Sequence, residues 1–175
     1  ADTLSPNIHP RNKDYYDNFL KWAAISENIA VWDYWILYRK GHFQLPYINY
    51  SSVQKDILCY RDNKVKTMFV ESENTLGTSF SCFKRWFGLK LMQNPEATFA
   101  ELAPRFFKAY YGSAAGPMQQ FIEYLQEREN EANFCMGQST LAAKVLICSS
   151  DDMKLPPAAP YLDKEFFEKA NSRRE

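Results

Sequence analysis

Ile29-Ala-Val-Trp-Asp-Tyr-Trp-Ile-Leu-Tyr38 is the stretch on which the reading of this 175-residue chain turns. β-branched and aromatic side chains crowd it, the mix that suits a pleated backbone and marks a strand. Its first part is almost unbroken in apolar residues, which predicts a strand buried on both faces, as in a parallel sheet. One acid, Asp33, interrupts it between Trp32 and Tyr34, and Arg39, Lys40 and His42 follow directly. A carboxylate drawn out of water has to be paired or hydrogen-bonded. Asp33 therefore needs an explanation: an ion pair with Arg39, a loop cap, or chemistry.

On the N-terminal side, Tyr15, Tyr16, Phe19, Leu20, Ala23 and Ala24 recur at helical spacing behind a possible Asn12 cap, predicting a helix to about Glu27. On the C-terminal side, residues 39–50 read as a polar and aromatic loop. Ser51 with Gln54 fits a capping box opening a helix to about Asn63, striped by Val53, Ile57 and Tyr60. Val65-Lys-Thr-Met-Phe-Val-Glu71 then reads as a second strand, followed by Glu73, Asn74 and a loosening Gly77. Strands that alternate with helices predict parallel pairing through helical crossovers. In such sheets chemistry sits beyond the C-terminal strand ends, which is where Asp33 and Glu71 fall.

Beyond Gly77 the pattern is helical. Phe80, Phe83, Phe87 and Leu91 mark one face up to Asn94-Pro95, and Thr98 with Glu101 fits the capping box of the next helix. Phe99, Leu102, Phe106 and Tyr110, with Ala103, Phe107 and Tyr111, give that helix a broad apolar face. Pro104 should kink it or shift its start, and Gly112 suits its end. Pro117 can open another helix with Met118, Phe121, Ile122 and Leu125 inward. Residues 132–150 are ambiguous between helix and strand at Leu141 to Cys148. Leu155-Pro-Pro-Ala-Ala-Pro160 reads as a stiff linker, and Asp163 caps a final amphipathic helix with Phe166, Phe167 and Ala170. The organisation drawn is residues 1–131 as one unit and 132–175 as an extension, linker and terminal helix. Two strands do not make a stable sheet alone. The expected architecture is therefore α/β, the C-terminal part of a (β/α)8 TIM-type barrel followed by a helical segment, with the rest of the barrel supplied by the same or a longer chain.

Composition narrows the function. Lysine plus arginine equals aspartate plus glutamate, 21 each, and no basic run interleaves with aromatics, which argues against nucleic acid as a partner. No apolar run approaches the roughly 20 residues of a membrane span, and the Ala1 to Pro6 start lacks the basic and apolar head of a signal peptide. Cys59, Cys82, Cys135 and Cys148 form no CxxC pair, so neither a zinc site nor any other metal or cofactor is expected. His9, before Pro10, reads as a surface residue, and the sequon at Asn49-Tyr-Ser51 carries no weight. Aromatic residues make up 16% of the chain. Most such side chains fill cores, but in carbohydrate clefts they stack on sugar faces.

The runs Lys21-Trp-Ala-Ala24 and Val31-Trp-Asp-Tyr34, Leu45-Pro-Tyr-Ile-Asn49, Tyr60-Arg-Asp-Asn-Lys-Val-Lys-Thr-Met-Phe-Val-Glu71, Lys90-Leu-Met-Gln-Asn-Pro95 and Phe106-Phe-Lys-Ala-Tyr-Tyr-Gly112 together resemble a bacterial domain of unknown function found with polysaccharide-degrading enzymes. Their order and spacing agree over roughly residues 9–130. That family is similar to glycoside hydrolases of the α-glucuronidase type. The resemblance implies a (β/α)8 barrel, a carbohydrate substrate and a periplasmic or cell-surface setting. It also implies that Asp33 and Glu71 are strand-end carboxylates serving acid/base catalysis, with the general acid on an earlier strand. One departure stands at the site: the family usually follows its strand-end glutamate with Gln-Gly, where this chain has Ser72-Glu73-Asn74.

Glycoside hydrolysis needs two carboxyl groups across a sugar, so Asp33 and Glu71 are the candidate catalytic pair, facing one cavity. Trp35, Tyr38, His42 and Glu73 are the candidate substrate contacts. Trp32, Tyr34 and Trp35 alternate across the strand, so one face at most can meet a sugar. Two other classes of function compete: a non-catalytic glycan-binding barrel, and a helical interaction module formed by residues 80–131.

Overall fold

The computed structural model describes residues 13–35, 50–72, 80–131 and 163–172. The chain runs through α1 (Lys13–Ile25), β1 (Ile29–Tyr34), α2 (Tyr50–Asp62), β2 (Val65–Glu71), α3 (Ser81–Gln93), α4 (Phe99–Tyr111), a short 3-10 turn (Gly112–Ala114), α5 (Ala115–Glu131) and α6 (Lys164–Ser172). Among the described residues helices dominate, around one small sheet in which β1 and β2 lie side by side and run parallel.

The register pairs Val31 with Met68, Trp32 with Phe69, Asp33 with Val70 and Tyr34 with Glu71. Partners in a parallel pair share a face, and neighbours along a strand alternate. Met68 and Val70 pack against the hydrophobic core, so their face of the sheet is the covered one. The other face is open: Trp32 is 62% exposed and Phe69 53% exposed. This corrects the expectation of a first strand buried on both faces. An apolar residue at nearly every position of β1 hides the alternation that distinguishes one covered face from two.

The core lies under the sheet and between the helices. Tyr50 and Val53 of α2, Phe83, Phe87 and Leu91 of α3, Leu102, Ala103 and Phe107 of α4, and Ile122 and Leu125 of α5 are all buried in one cluster. Phe83 sits at its centre, with ring centroids 4.9 Å from both Tyr50 and Phe107 and 5.1 Å from Phe106. The capping box at α4 forms as its spacing predicts: Thr98 accepts from the Glu101 backbone, and the Glu101 side chain accepts from the Thr98 N–H at 2.8 Å. The helix runs on through Pro104 to Tyr111.

One local expectation is corrected. The second helix opens at Tyr50, one residue before the expected Ser51 cap. Gln54 donates instead to the carbonyls of Pro95 and Ala97, at 3.1 and 2.8 Å, tying α2 to the turn before α4. The terminal helix, α6, packs against α5. Phe166 is buried and stacks on Tyr124 of α5 with centroids 5.3 Å apart, and Arg128 pairs with Asp163 at 2.7 Å.

Candidate functional site

The C-terminal end of the sheet is built from the last residues of β1 and β2. Glu71 ends β2 on the open face. Its Oε2 accepts a hydrogen bond from Trp32 Nε1 at 3.1 Å. Trp32 in turn lies against Phe69, its partner in the register, with ring centroids 4.5 Å apart and planes tilted by 59°. The open face thus presents two adjoining aromatic rings with one carboxylate at their C-terminal end. Such a surface offers an apolar platform and a hydrogen-bond acceptor side by side.

Asp33 is on the other face. It pairs with Val70, whose side chain meets the core, and its Oδ2 accepts from Trp35 Nε1 at 3.1 Å. The expected pairing of Asp33 with Glu71 in one cavity is corrected: the alternation of the pleat sends the two carboxylates to opposite sides of the sheet. Asp33 shares its side with Asp56 of α2, which is buried. Burial, and then the negative charges of Asp33 and Asp56, push the Tyr60 phenol well above its ordinary value and keep it protonated.

Trp35, an expected sugar contact, is also corrected. It is only 3% exposed and sits beneath α3, where a methyl group at Gly88 would lie 2.0 Å from Cζ3 of the indole. Its backbone N–H donates to the Glu71 carbonyl at 2.8 Å, and its own carbonyl accepts from Lys84 Nζ at 2.9 Å. Trp35 therefore locks the strand end and has no free ring face for a ligand. Tyr38, His42 and Glu73 lie outside the described residues.

The residues that sequence reasoning passed over are Trp32 and Phe69 as a surface pair and Lys84 as a buried cation. Lys84 is only 1% exposed. A signal for it exists: Phe80, Lys84, Phe87, Gly88 and Leu91 fall on one face of a helix by period, so the apolar stripe itself contains the lysine and the glycine. Among the described residues, no group of three or more histidine, cysteine, aspartate or glutamate side chains is placed to hold a metal ion. No helix among them is long and apolar enough to cross a membrane.

No curated protein and no solved structure matches the chain. A protein-family comparison matches residues 1–123, which take in the sheet, α1 to α4 and the first half of α5. With that match covering more than half of its 175 residues, the chain belongs to the family described as a domain of unknown function, DUF4838.

Proposed function

We propose that this chain is part of a carbohydrate-active protein, in which the open sheet face meets a glycan and Glu71 serves as one carboxyl of an acid/base pair in glycoside hydrolysis. The observation that carries the reading is the cluster of Trp32, Phe69 and Glu71 at the C-terminal end of a parallel strand pair. Sugar rings present apolar C–H faces that suit aromatic platforms, and ring hydroxyls suit a carboxylate acceptor. Ligands of parallel α/β sheets bind beyond the strands' carboxyl ends. The architecture proposed with it is the C-terminal part of a (β/α)8 barrel, in which the open face looks inward and further βα units supply the second carboxyl.

A second reading has an observation of its own. With Asp33 on the covered face, Glu71 is the one carboxylate that the described strand ends bring to the open face, an arrangement that also suits a glycan-binding barrel without catalysis. The test uses the full-length protein against glucuronides and other glycosides. We expect hydrolysis, at least about 100-fold slower in Glu71→Gln if Glu71 acts as acid or base, and a raised KM in Trp32→Ala. Turnover that survives Glu71→Gln removes Glu71 from the mechanism. Glycan binding without turnover, lost in Trp32→Ala, would establish the non-catalytic reading.

A further inference from the structure

A lysine in the middle of an apolar helix face is costly unless its ammonium is hydrogen-bonded, and Lys84 is among the most completely buried side chains of the molecule. Its Nζ reaches across from α3 to the carbonyl of Trp35, at 2.9 Å, at the point where β1 has just ended. Gly88, one turn further along α3, leaves the space that the Trp35 indole fills. Two residues four apart on one helix thus hold the backbone and the ring of the same tryptophan. Trp35 passes the constraint on: its N–H donates to the Glu71 carbonyl at 2.8 Å, a backbone bond that joins the two strands' ends. On the far face the Glu71 side chain meets Trp32 Nε1 at 3.1 Å.

We propose that Lys84 is a positioning residue for the Glu71 carboxylate: by clamping the Trp35 peptide onto the end of β2, it holds Glu71 in reach of Trp32 on the open face. The proposal rests on the reading of Glu71 as the working carboxylate, and it adds a residue that never touches the ligand. A lysine whose only role is to fill space would serve as well as methionine, which has the same unbranched stem. A charge-assisted donor to a strand-end carbonyl fixes that peptide more firmly than a neutral one. With the clamp gone, the last turn of pairing between β1 and β2 opens locally, and the distance from Trp32 to Glu71 is no longer set.

The test needs no ligand. The indole N–H resonance of Trp32 is followed by NMR in the full chain, with Glu71→Gln marking its position when the carboxylate is lost. In Lys84→Met we expect that resonance to move toward the Glu71→Gln position. The Trp35 amide should exchange at least about tenfold faster, the change that loss of one charge-assisted hydrogen bond gives. Phe107→Ala, a destabilising change in the buried core away from the strand ends, should leave the Trp32 resonance in place. A folded Lys84→Met protein with the Trp32 resonance unmoved overturns the proposal, as does an equal movement in Phe107→Ala. Should Lys84→Met not fold, Lys84→Leu, which likewise has no donor, is read against the same two outcomes. The underlying reading fails separately, if Glu71→Gln leaves glycoside turnover intact while the spectra still report the clamp.

Discussion

Asp33 turns its carboxylate into the protein and Glu71 turns its own outward, so the two should answer to substitution in different ways. Asn at position 33 keeps an oxygen to accept from Trp35 Nε1, whereas Leu leaves that indole N–H without its acceptor in a part-buried site. We expect Asp33→Leu to lower stability by about 1–3 kcal/mol and Asp33→Asn by less. Glu71→Gln, on the open face, should stay within about 0.5 kcal/mol of the parent. Urea unfolding of the three variants checks the order. A Glu71→Gln protein less stable than Asp33→Leu would mean that the carboxylates have been assigned to the wrong faces. Both acids are legible in the sequence as strand-end residues, but their faces are not. Large or apolar residues fall on both sides of β1 and its end, Val31 and Trp35 on one and Trp32 on the other. A strand without period-2 contrast gives no register, and a shift of one residue exchanges every side chain between faces.

Elements whose ends carry local chemistry are the ones a sequence reveals best. The second strand ends at Glu71 as its pattern predicts, and α4 starts where Thr98 and Glu101 place it. At the start of α2 the same pattern misleads, because Ser51 and Gln54 have the right spacing but Tyr50 is already helical. The Tyr50 ring is held at 4.9 Å from Phe83 and 5.4 Å from Phe87. Long-range packing sets that start, and a four-residue motif contains no trace of it. The α4 cap should behave as a separable unit. Thr98→Ala removes the hydroxyl that accepts from the Glu101 N–H, at a cost of about 1 kcal/mol. The Glu101 carboxylate accepts from the Thr98 N–H and hydroxyl, bonds that hold it below its ordinary value. Its contribution is therefore complete above the ordinary glutamate value and fades as pH falls through the lower folded one. The stability difference between parent and Glu101→Gln should be constant near neutral pH and shrink on acidification below about pH 4. Thermal melts across that range check it, and a difference that grows in acid would contradict the cap geometry.

Among the described residues, α2 to α5 share one core, while the sheet keeps an open face and open edges. Among the described residues each strand has a single neighbour, so one edge of β1 and one of β2 are unpaired. Parallel pairs are ordinarily covered on both faces and flanked by further strands, and a two-stranded sheet is marginal alone. The helix before β1 has the same character: Trp22 and Ile25 of α1 are 63% and 77% exposed, with Tyr15 exposed beside them on that side of the helix. In the proposed barrel a neighbouring βα unit would complete both, its strand pairing with β1 and its helix covering Trp22 and Ile25. The barrel expected from the alternation of elements is a proposal that these surfaces can test. Hydrogen exchange can decide it. In the 175-residue chain, the β1 amides that point away from β2 should exchange nearly as fast as unstructured peptide, while those bonded to β2 are slowed. In a longer chain that carries adjoining βα units, both sets should be protected together, and quenching of Trp22 and Trp32 fluorescence by acrylamide should fall. Outward amides of β1 already protected in the 175-residue chain would mean that this chain closes its own sheet, and the barrel reading would have to be given up.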